Sequence, residues 1–157
     1  DTAIDAAKVA IANRGYRSIY SGLDLDGWRA SVPGYWYSKD WILQFDGPDG
    51  NNGSLTTDEL FGNVSFVCDV RLLAQDSNAQ IQLRNGSQAI DTERKEIADA
   101  LQKRGAWNRF EGKLENGKLD LMVNGKTVLR SESISGESSG LCLVPRGKVE
   151  FANIFVK

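Results

Sequence analysis

Residues 61–84 read FGNVSFVCDVRLLAQDSNAQIQLR and contain two runs in which apolar and polar side chains alternate. In the first run, residues 64–71, every second residue from Val64 is apolar, and in the second, residues 79–84, every second residue from Ala79 is apolar. A period of two places alternate side chains on opposite faces, so both runs are predicted to be half-buried strands. The short link between them, residues 72–78, predicts that the two strands are antiparallel neighbours.

Similar short runs, separated by turn residues, continue along the chain. The strongest hairpin signals are Asn116–Gly117 and Asn124–Gly125, because an Asn-Gly pair suits a tight turn with positive φ angles. About ten short strands without strand–helix–strand alternation predict an all-β fold. We therefore expect a two-sheet antiparallel sandwich, with a barrel as the alternative.

Two segments depart from the β pattern. Residues 1–16 are rich in Ala and contain apolar residues at helical spacing before Gly15, which predicts a short N-terminal helix or linker. Residues 91–104 combine an apolar stripe with mixed charges, which predicts one inserted amphipathic helix with a solvated face. The β-domain is then expected to span residues 17–157.

Composition and charge exclude several classes of function. The chain has 157 residues, enough for one domain with a sizeable core, and a formal net charge of -2, which gives no support for a nucleic-acid partner. No apolar run approaches the ~20 residues of a membrane span. The sequence has no histidine, which excludes His-based nucleophile activation and His-ligated metal sites. We predict no cofactor.

The two cysteines, Cys68 and Cys142, are both predicted to point inward, in phase with the inward-facing aliphatic residues of their strands. One interpretation is that they are small buried hydrophobic residues. The other is a disulfide, which would require an oxidising compartment. The alternation cannot decide between them, because it does not give the separation of the two Cα atoms.

Polar side chains on the second run suggest a binding surface for sugars. Gln80, Gln82 and Arg84 alternate with its apolar residues and offer planar groups that can hydrogen-bond neighbouring hydroxyls. An ordinary solvated sheet face is the alternative. Four charged residues on other predicted strands are possible neighbours of these three, namely Asp69, Arg71, Arg109 and Glu111.

Four aromatic residues are further candidates for contact with saccharides, because aromatic rings stack on the apolar faces of pyranose rings. Tyr35, Trp36 and Tyr37 are consecutive and cannot all face one core, so at least one of them could be a sugar platform. Trp107 is the fourth, with burial in the core as its alternative.

Carboxylates could support hydrolysis or metal binding. Asp69 and Glu111 lie on the non-core faces of their predicted strands and are the candidate pair for glycoside hydrolysis, with ordinary surface charge as the alternative. The loop after residue 45 supplies possible oxygen ligands for a structural Ca²⁺, although turn formation explains the same residues. These ligands are Asp46, Asp49, Asn51 and Asn52.

Several stretches, taken in order, resemble the 3-keto-disaccharide hydrolase family, long catalogued as a domain of unknown function. Residues 18–28 (SIYSGLDLDGW) resemble its opening pattern sLFdGksLdGW, and residues 78–84 (NAQIQLR) stand where the family has NSGiflR. The remaining matching stretches are SLTT at 54–57, FGNVSF at 61–66, WN at 107–108, VNG at 123–125, GLCL at 140–143 and VEFANI at 149–154.

The resemblance implies a concanavalin A-like, laminin-G-like jelly-roll sandwich that is bacterial, extracytoplasmic (periplasmic or secreted) and tied to glycan breakdown. The family usually carries an acid-bearing stretch, E.QilD, before its Trp-Asn pair, and residues 85–106 lack it. The strand motif Glu-x-Asp-x-x-Glu of laminarinases is also absent. These departures favour recognition of a glycan without its cleavage.

Three functions follow from the sequence as hypotheses. The first is a carbohydrate-recognition module of a larger extracytoplasmic protein, with an oligo- or polysaccharide ligand and further domains upstream. The second is a small glycoside or 3-keto-glycoside hydrolase that uses carboxylates. The third is a laminin-G-like domain that binds another protein.

Overall fold

The computed structural model describes Ile11, residues 14–48 and residues 53–157. Within these residues the chain forms two antiparallel β-sheets that enclose a common core, so the predicted two-sheet sandwich is confirmed. The predicted N-terminal helix lies outside the described residues, apart from Ile11. No helix in the described part of the chain is both long and apolar enough to cross a membrane.

The strands are short and follow one another closely. In chain order the elements are β1 (Arg17–Ser18), β2 (Trp28–Ala30), β3 (Trp36–Lys39), β4 (Ile42–Phe45), β5 (Leu55–Phe61), β6 (Val64–Leu72), β7 (Asn78–Gln82), β8 (Ile90–Asp91), α1 (Lys95–Ala98), β9 (Trp107–Glu115), β10 (Lys118–Val123), β11 (Lys126–Ser133), β12 (Ser139–Arg146) and β13 (Val149–Val156). The large sheet has eight strands, in the order β11-β10-β9-β6-β13-β4-β3, with β1 also paired to β13. The small sheet has five, in the order β2-β5-β12-β7-β8.

Both Asn-Gly hairpins predicted from the sequence are present. Asn116–Gly117 joins β9 to β10 with φ angles of 52° and 74°, and Asn124–Gly125 joins β10 to β11 with φ angles of 52° and 80°. Two successive positive φ angles give the turn a twist that matches that of the flanking strands. These hairpins build one end of the large sheet.

The pairing predicted for the first two runs is wrong. β6 pairs with β9 and β13 in the large sheet, whereas β7 pairs with β12 and β8 in the small sheet. The link between them, residues 73–77, therefore connects the large sheet to the small sheet. Such a link can span the ~10 Å between packed sheets, so its short length is compatible with either arrangement.

The core lies between the inward faces of the two sheets. Phe66 and Phe110 of the large sheet and Ile81 and Leu143 of the small sheet are all buried there. Gly112 lies opposite Phe66 in the ladder, and a Cβ at this position would overlap the Phe66 ring. The remaining side chains of each strand point away from the core, and these outward positions carry the polar residues considered below.

The inserted helix predicted over residues 91–104 is wrong in extent, since only the single turn α1 is helical. Asp91 belongs to β8, which adds to the edge of β7 and satisfies its backbone there. After α1, the backbone N–H of Gln102 donates to Asn108 Oδ1 at 2.7 Å. A side-chain acceptor thus replaces the helical carbonyl, and the helix does not continue.

Candidate functional site

The sequence-predicted site residues are divided between the two outer faces of the sandwich. Gln80 and Gln82 alternate with buried Ala79 and Ile81, so they lie on the outer face of the small sheet. The four predicted neighbours lie on the outer face of the large sheet, on the opposite side of the molecule; these are Asp69, Arg71, Arg109 and Glu111. Trp107 lies on the same face. The prediction that the four neighbours surround the glutamines is therefore wrong.

The outer face of the large sheet is held by buried ion pairs, and we call Asp69, Arg71, Trp107, Arg109 and Glu150 the ion-pair face. Asp69 is only 8% exposed and accepts Arg109 Nε at 2.8 Å and Nη2 at 2.9 Å. Asn153, in a bulge of β13, donates its Nδ2 to Asp69 Oδ2 at 2.8 Å. The Asp69 carboxylate thus has three donors, and its negative charge is compensated by a guanidinium.

A second pair lies beside the first on the ion-pair face. Glu150 is 3% exposed and accepts Arg71 Nε at 2.7 Å, together with the side-chain amide of Gln44. The Arg71 guanidinium also lies over the Trp107 ring, 4.6 Å from its centroid. Trp107 is half-buried at the surface of the sheet, so its predicted alternative of burial in the core is wrong.

Glu150 was missed by sequence reasoning. Its position between Val149 and Phe151, both buried on the inner side, marks it as outward-facing. Alternation could have identified it as an outward carboxylate. Its partner Arg71 lies 79 positions away in the sequence, however, so the pairing depends on the adjacency of β6 and β13.

The two candidate catalytic carboxylates lie on the same face of adjacent strands. Asp69 pairs in register with Arg109, and Glu111 pairs in register with Val67, two residues away along each strand. Each carboxylate is engaged by a guanidinium, since Arg14 Nη1 donates to Glu111 Oε1 at 2.9 Å. A general acid must hold a proton at an open substrate site, and ion-paired carboxylates are poorly suited to that role.

The three consecutive aromatic candidates differ in their exposure. Trp36 is buried in the core against Phe45 and Phe151, and Tyr35 packs edge-on against Phe45. These two contacts leave Tyr37 as the exposed member of the trio, at 51% exposure, with its hydroxyl donating to the Gly34 carbonyl at 3.0 Å. Trp36 therefore has no ring face open to a ligand, whereas Tyr35 is half-buried.

Arg84 does not share the exposed position of the glutamines, which corrects the sequence prediction. Arg84 is only 7% exposed, and its Nη1 atom lies 3.1, 3.2 and 3.0 Å from the carbonyl oxygens of Phe61, Gly62 and Leu83. β7 ends at Gln82, so the alternation that placed Arg84 outward stops before this residue. The guanidinium holds the turn between β5 and β6.

The outer face of the small sheet carries polar groups that include one carboxylate and no cation, and we call Thr56, Gln80, Gln82, Asp91 and Cys142 the amide face. Thr56 and Cys142 are register partners across β5 and β12, and Cys142 and Gln82 are partners across β12 and β7. Gln80 faces Asp91 across β7 and β8. These registers bring the five side chains into two cross-strand rows on one surface.

A hydrogen-bonded relay fixes the orientation of both amides. Gln80 Nε2 donates to Asp91 Oδ2 at 3.0 Å, and Gln82 Nε2 donates to Gln80 Oε1 at 3.0 Å. Because an ionised carboxylate can only accept, Gln80 must present its NH₂ group to Asp91 and its carbonyl to Gln82. The Gln82 carbonyl oxygen is thereby left as the outward acceptor at the end of the relay, and it accepts none of the hydrogen bonds found among the described residues.

Cys142 lies on the amide face, which corrects the prediction that it points inward. Leu141 and Leu143 face the core, and Cys142 between them is half-buried on the outer side, where Thr56 Oγ1 donates to its sulfur at 3.2 Å. Both cysteines are free, so the structure has no bridge between them. Partial burial raises the pKa of the Cys142 thiol, and full burial raises that of Cys68 further.

Two clefts adjoin the amide face. One of about 460 Å³ is lined by several hydroxyls together with Arg29 and Asn85 and includes Thr56 and Cys142, and one of about 220 Å³ borders Gln80 and Asp91. Gln82 lines neither cleft, but it is the register partner of Cys142 and lies two residues from Gln80, so residues of both clefts adjoin it. The arrangement offers a fixed acceptor on a face that two clefts adjoin. Thr56 and Asp91 were not singled out as binding residues from the sequence.

Most of the predicted calcium ligands lie outside the residues that the structure describes. Asp46 is exposed after β4, and its backbone N–H donates to the Tyr35 carbonyl. Asp49, Asn51 and Asn52 lie outside the described residues, so the calcium site stays a prediction. Across residues 14–48 and 53–157, no cluster of three or more acidic or cysteine side chains could hold a metal ion.

No protein-family model and no curated protein matches the sequence. Solved structures do match. A protein from Parabacteroides distasonis ATCC 8503, described as a candidate glycosyl hydrolase, is 16% identical with a TM-score of 0.71, over 93% of this chain and 94% of that one. A protein of unknown function with a galectin-like fold from Bacillus subtilis is 13% identical with a TM-score of 0.66, over 90% and 93% of the chains.

A further match is carbohydrate-binding module CBM66 from Bacillus subtilis, at 9% identity and a TM-score of 0.62, over 82% of this chain and 93% of that one. Similarity at such low identity concerns the fold. Together with the two-sheet topology, it confirms the predicted jelly-roll β-sandwich.

Proposed function

We propose that this chain is a carbohydrate-recognition module and that the amide face binds an oligo- or polysaccharide. The observation that carries the proposal is the relay from Gln82 through Gln80 to Asp91, which orients two amides on an outer sheet face that two clefts adjoin. A sugar hydroxyl can donate to the Gln82 carbonyl oxygen and accept from the second N–H of the same amide. Several of the structurally similar proteins carry glycan-related descriptions, which agrees with this ligand class.

Binding without cleavage is the form of this function that the carboxylates support. Asp69 and Glu111 lie on the opposite sheet and are paired with Arg109 and Arg14. On the amide face, Asp91 accepts from Gln80 and from the backbone N–H of Glu93 at 2.8 Å. We further propose that the module belongs to a larger extracytoplasmic protein that processes glycans, as the resemblance to the 3-keto-disaccharide hydrolase family implies.

Affinity electrophoresis on a panel of neutral and acidic polysaccharides tests the proposal. We expect at least one polysaccharide to retard the wild-type protein, and Gln82→Met to lose the retardation, because methionine keeps the length of the side chain but removes its polar groups. Gln102→Met is the matched control, since Gln102 is an exposed glutamine outside both clefts and its side chain makes none of the hydrogen bonds found among the described residues. Equal retardation of wild type and Gln82→Met would place the binding site elsewhere, and the absence of any retardation would refute the function.

The hydrolase alternative is tested in parallel by product release. Wild-type protein is incubated with the same polysaccharides and with 3-keto-disaccharides, and released sugars are measured. Product formation that disappears in Asp69→Asn or Glu111→Gln would favour the carboxylate-based hydrolase over the binding module. Binding without product would support the proposal.

A further inference from the structure

Two large apolar side chains that remain exposed meet at one cleft on the outer side of the large sheet. Tyr37 is 51% exposed and Leu73 is 42% exposed, and both line a cleft of about 190 Å³. The backbone N–H of Leu73 donates to the Lys148 carbonyl at 3.2 Å, so these two residues lie side by side. Exposed apolar side chains that cluster in a depression rimmed by polar groups commonly mark a binding site. We call Tyr37, Gln44, Asp46, Leu73 and Lys148 the tyrosine cleft.

The tyrosine ring is positioned by the protein without being covered by it. Tyr37 is an outward-facing residue of β3, and its hydroxyl donates to the Gly34 carbonyl at 3.0 Å. No second aromatic ring and no cation stacks on it within the part of the chain that the structure describes. About half of the side chain therefore stays available to a ligand that enters the cleft.

A buried carboxylate fixes the amide of the tyrosine cleft. Register pairing places Tyr37 opposite Gln44 and Gln44 opposite Glu150, so the three side chains form one row on the outer face. Glu150 is 3% exposed, and it accepts from Arg71 Nε at 2.7 Å and from Nε2 of Gln44. Because an ionised carboxylate can only accept, Gln44 must present its NH₂ group to Glu150. The Gln44 carbonyl oxygen is left over, and it accepts none of the hydrogen bonds found among the described residues.

The charges around the tyrosine cleft are balanced. Asp46 and Lys148 are both exposed and contribute one charge of each sign, and the charge of Glu150 is compensated by Arg71. The Lys148 ammonium supplies donors, while the Gln44 carbonyl and the Asp46 carboxylate supply acceptors. Hydroxyl groups both donate and accept, so this mixed set suits a polyhydroxylated ring that carries no charge of its own. The exposed tyrosine and leucine side chains suit the apolar C–H face of the same ring.

We propose that the tyrosine cleft is a second, weaker saccharide site, which takes one neutral sugar unit of a glycan. The ligand class rests on the proposed function, whereas the site itself lies on the large sheet, away from the amide face on the small sheet. Its volume of about 190 Å³ is below the ~300–1,000 Å³ of sites that enclose a whole small molecule, which suits one unit of a longer chain. Because the two sites lie on opposite sides of the sandwich, one module would bridge two glycan chains and bind a polysaccharide with avidity.

Affinity electrophoresis with a neutral polysaccharide that retards the wild type tests the contribution of the tyrosine cleft. We expect Tyr37→Ala to weaken binding about tenfold, because one aromatic contact and the avidity of the second site are lost. Tyr37→Phe should stay within about threefold of the wild type, because the ring remains. Leu23→Ala is the matched control, since Leu23 is 75% exposed and does not line the cleft. Urea unfolding of each variant establishes that it is folded.

Light scattering from mixtures of the protein with the same polysaccharide measures the bridging of chains. The wild type should cross-link the polysaccharide and increase the scattering. Tyr37→Ala keeps the amide face, so it should bind the polysaccharide without cross-linking it. Gln82→Met should not cross-link the chains either, because only the weaker site remains.

Three outcomes would overturn the second site: wild-type affinity in Tyr37→Ala, cross-linking that persists in Tyr37→Ala, or an equal loss in Leu23→Ala. Retardation of the wild type by acidic polysaccharides alone would overturn the neutral ligand. If Tyr37→Ala does not fold, Leu73→Ser replaces it, because it removes the other apolar side chain of the cleft. Loss in Tyr37→Ala with full binding by Gln82→Met would support the tyrosine cleft and refute the amide face. No retardation of the wild type by any polysaccharide would refute the proposed function itself.

Discussion

The ion-pair face and the amide face both carry polar side chains at positions that alternate with core residues. The hydrogen bonds that these side chains make differ between the two faces. On the ion-pair face the carboxylates of Asp69 and Glu150 are almost completely buried and accept from the guanidinium groups of Arg109 and Arg71. On the amide face, Gln80 and Gln82 are half-buried and bond in a line that ends in an outward acceptor. The carboxylates of the ion-pair face are already paired within the protein, whereas the amide face has an acceptor left for a ligand.

This difference indicates how to assign a role to an outward polar residue in a β-sandwich. A buried, fully paired charge contributes to the fold, because removing one partner leaves the other charge without compensation. A fixed amide beside a cleft contributes little to the fold, because water can replace the hydrogen bonds that it loses. Substitutions on the ion-pair face should therefore change stability, and substitutions on the amide face should change binding.

The largest expected effect is that of Asp69→Ala. Arg109 and the Asn153 amide would both lose their acceptor, and we expect the free energy of unfolding to fall by about 3 kcal/mol. Urea denaturation measures this, with Glu111→Gln as control, because the partner of Glu111, Arg14, is exposed and such a pair is worth about 0–1 kcal/mol. A loss in Asp69→Ala no larger than in the control would mean that the ion-pair face is not a stabilising unit.

Arg84 follows the end of β7 in the small sheet, but like the arginines of the ion-pair face it donates its hydrogen bonds within the protein. Arg84→Ala would leave the carbonyls of Phe61 and Gly62 without their donor, and we expect a loss of about 2 kcal/mol in the free energy of unfolding. Affinity of the folded variant for polysaccharide should be unchanged. Arg29→Ala is the control for stability, since Arg29 pairs with Asp58 at an exposed position. Weaker glycan binding by Arg84→Ala at unchanged stability would reverse this assignment.

These assignments could be only partly predicted from the sequence. The period of two identified the strands and placed Gln80, Gln82, Asp69 and Arg71 on outward faces, and the Asn-Gly pairs located two hairpins. Alternation says nothing about which strands are neighbours, so β6 and β7 were predicted to pair although they lie in different sheets. The two outer faces were consequently treated as a single surface.

The remaining differences depend on contacts that are distant in the chain. Arg84 lost its outward position because β7 ends two residues earlier, and its guanidinium donates to the carbonyls of residues 61 and 62 in the turn between β5 and β6. The relay required Asp91 to lie in an edge strand, whereas the mixed charges of residues 91–104 had suggested a helix. Neither pairing leaves a local signal in the sequence.

A separate ion pair lies at the edge of the large sheet, between β11 and the residue before α1, and should give a smaller, pH-dependent effect. Glu132 of β11 accepts two bonds from the Arg94 guanidinium, at 2.6 and 2.5 Å, and this pairing lowers the pKa of Glu132. Because the pKa is lower in the folded protein, the stabilisation is complete above the ordinary value of 4.5 and is lost as the pH falls below it. Both side chains are partly exposed, so we expect no more than about 1 kcal/mol.

Urea denaturation of wild type and Glu132→Gln at neutral pH and at low pH measures this contribution. The difference between the two proteins should shrink as the pH falls, because protonated Glu132 no longer attracts Arg94. Glu137→Gln, in the exposed loop after β11, is the control and should differ little from wild type at either pH. A difference between wild type and Glu132→Gln that stays constant with pH would rule out the ion pair as its source.

The smallest expected effect concerns Asp91, which orients the relay on the amide face. An asparagine at this position can both donate and accept, so Asp91→Asn would no longer force Gln80 to present its NH₂ group, and Gln82 would lose its fixed orientation. We expect about a threefold loss of polysaccharide affinity, roughly 0.6 kcal/mol, with stability changed by less than about 0.5 kcal/mol. Asp99→Asn makes the same substitution at an exposed aspartate that pairs with Lys95 and lines neither cleft, and should bind as the wild type does. If Asp91→Asn lost stability and kept its affinity, the amide face would behave as the ion-pair face does, and the division between them would fail.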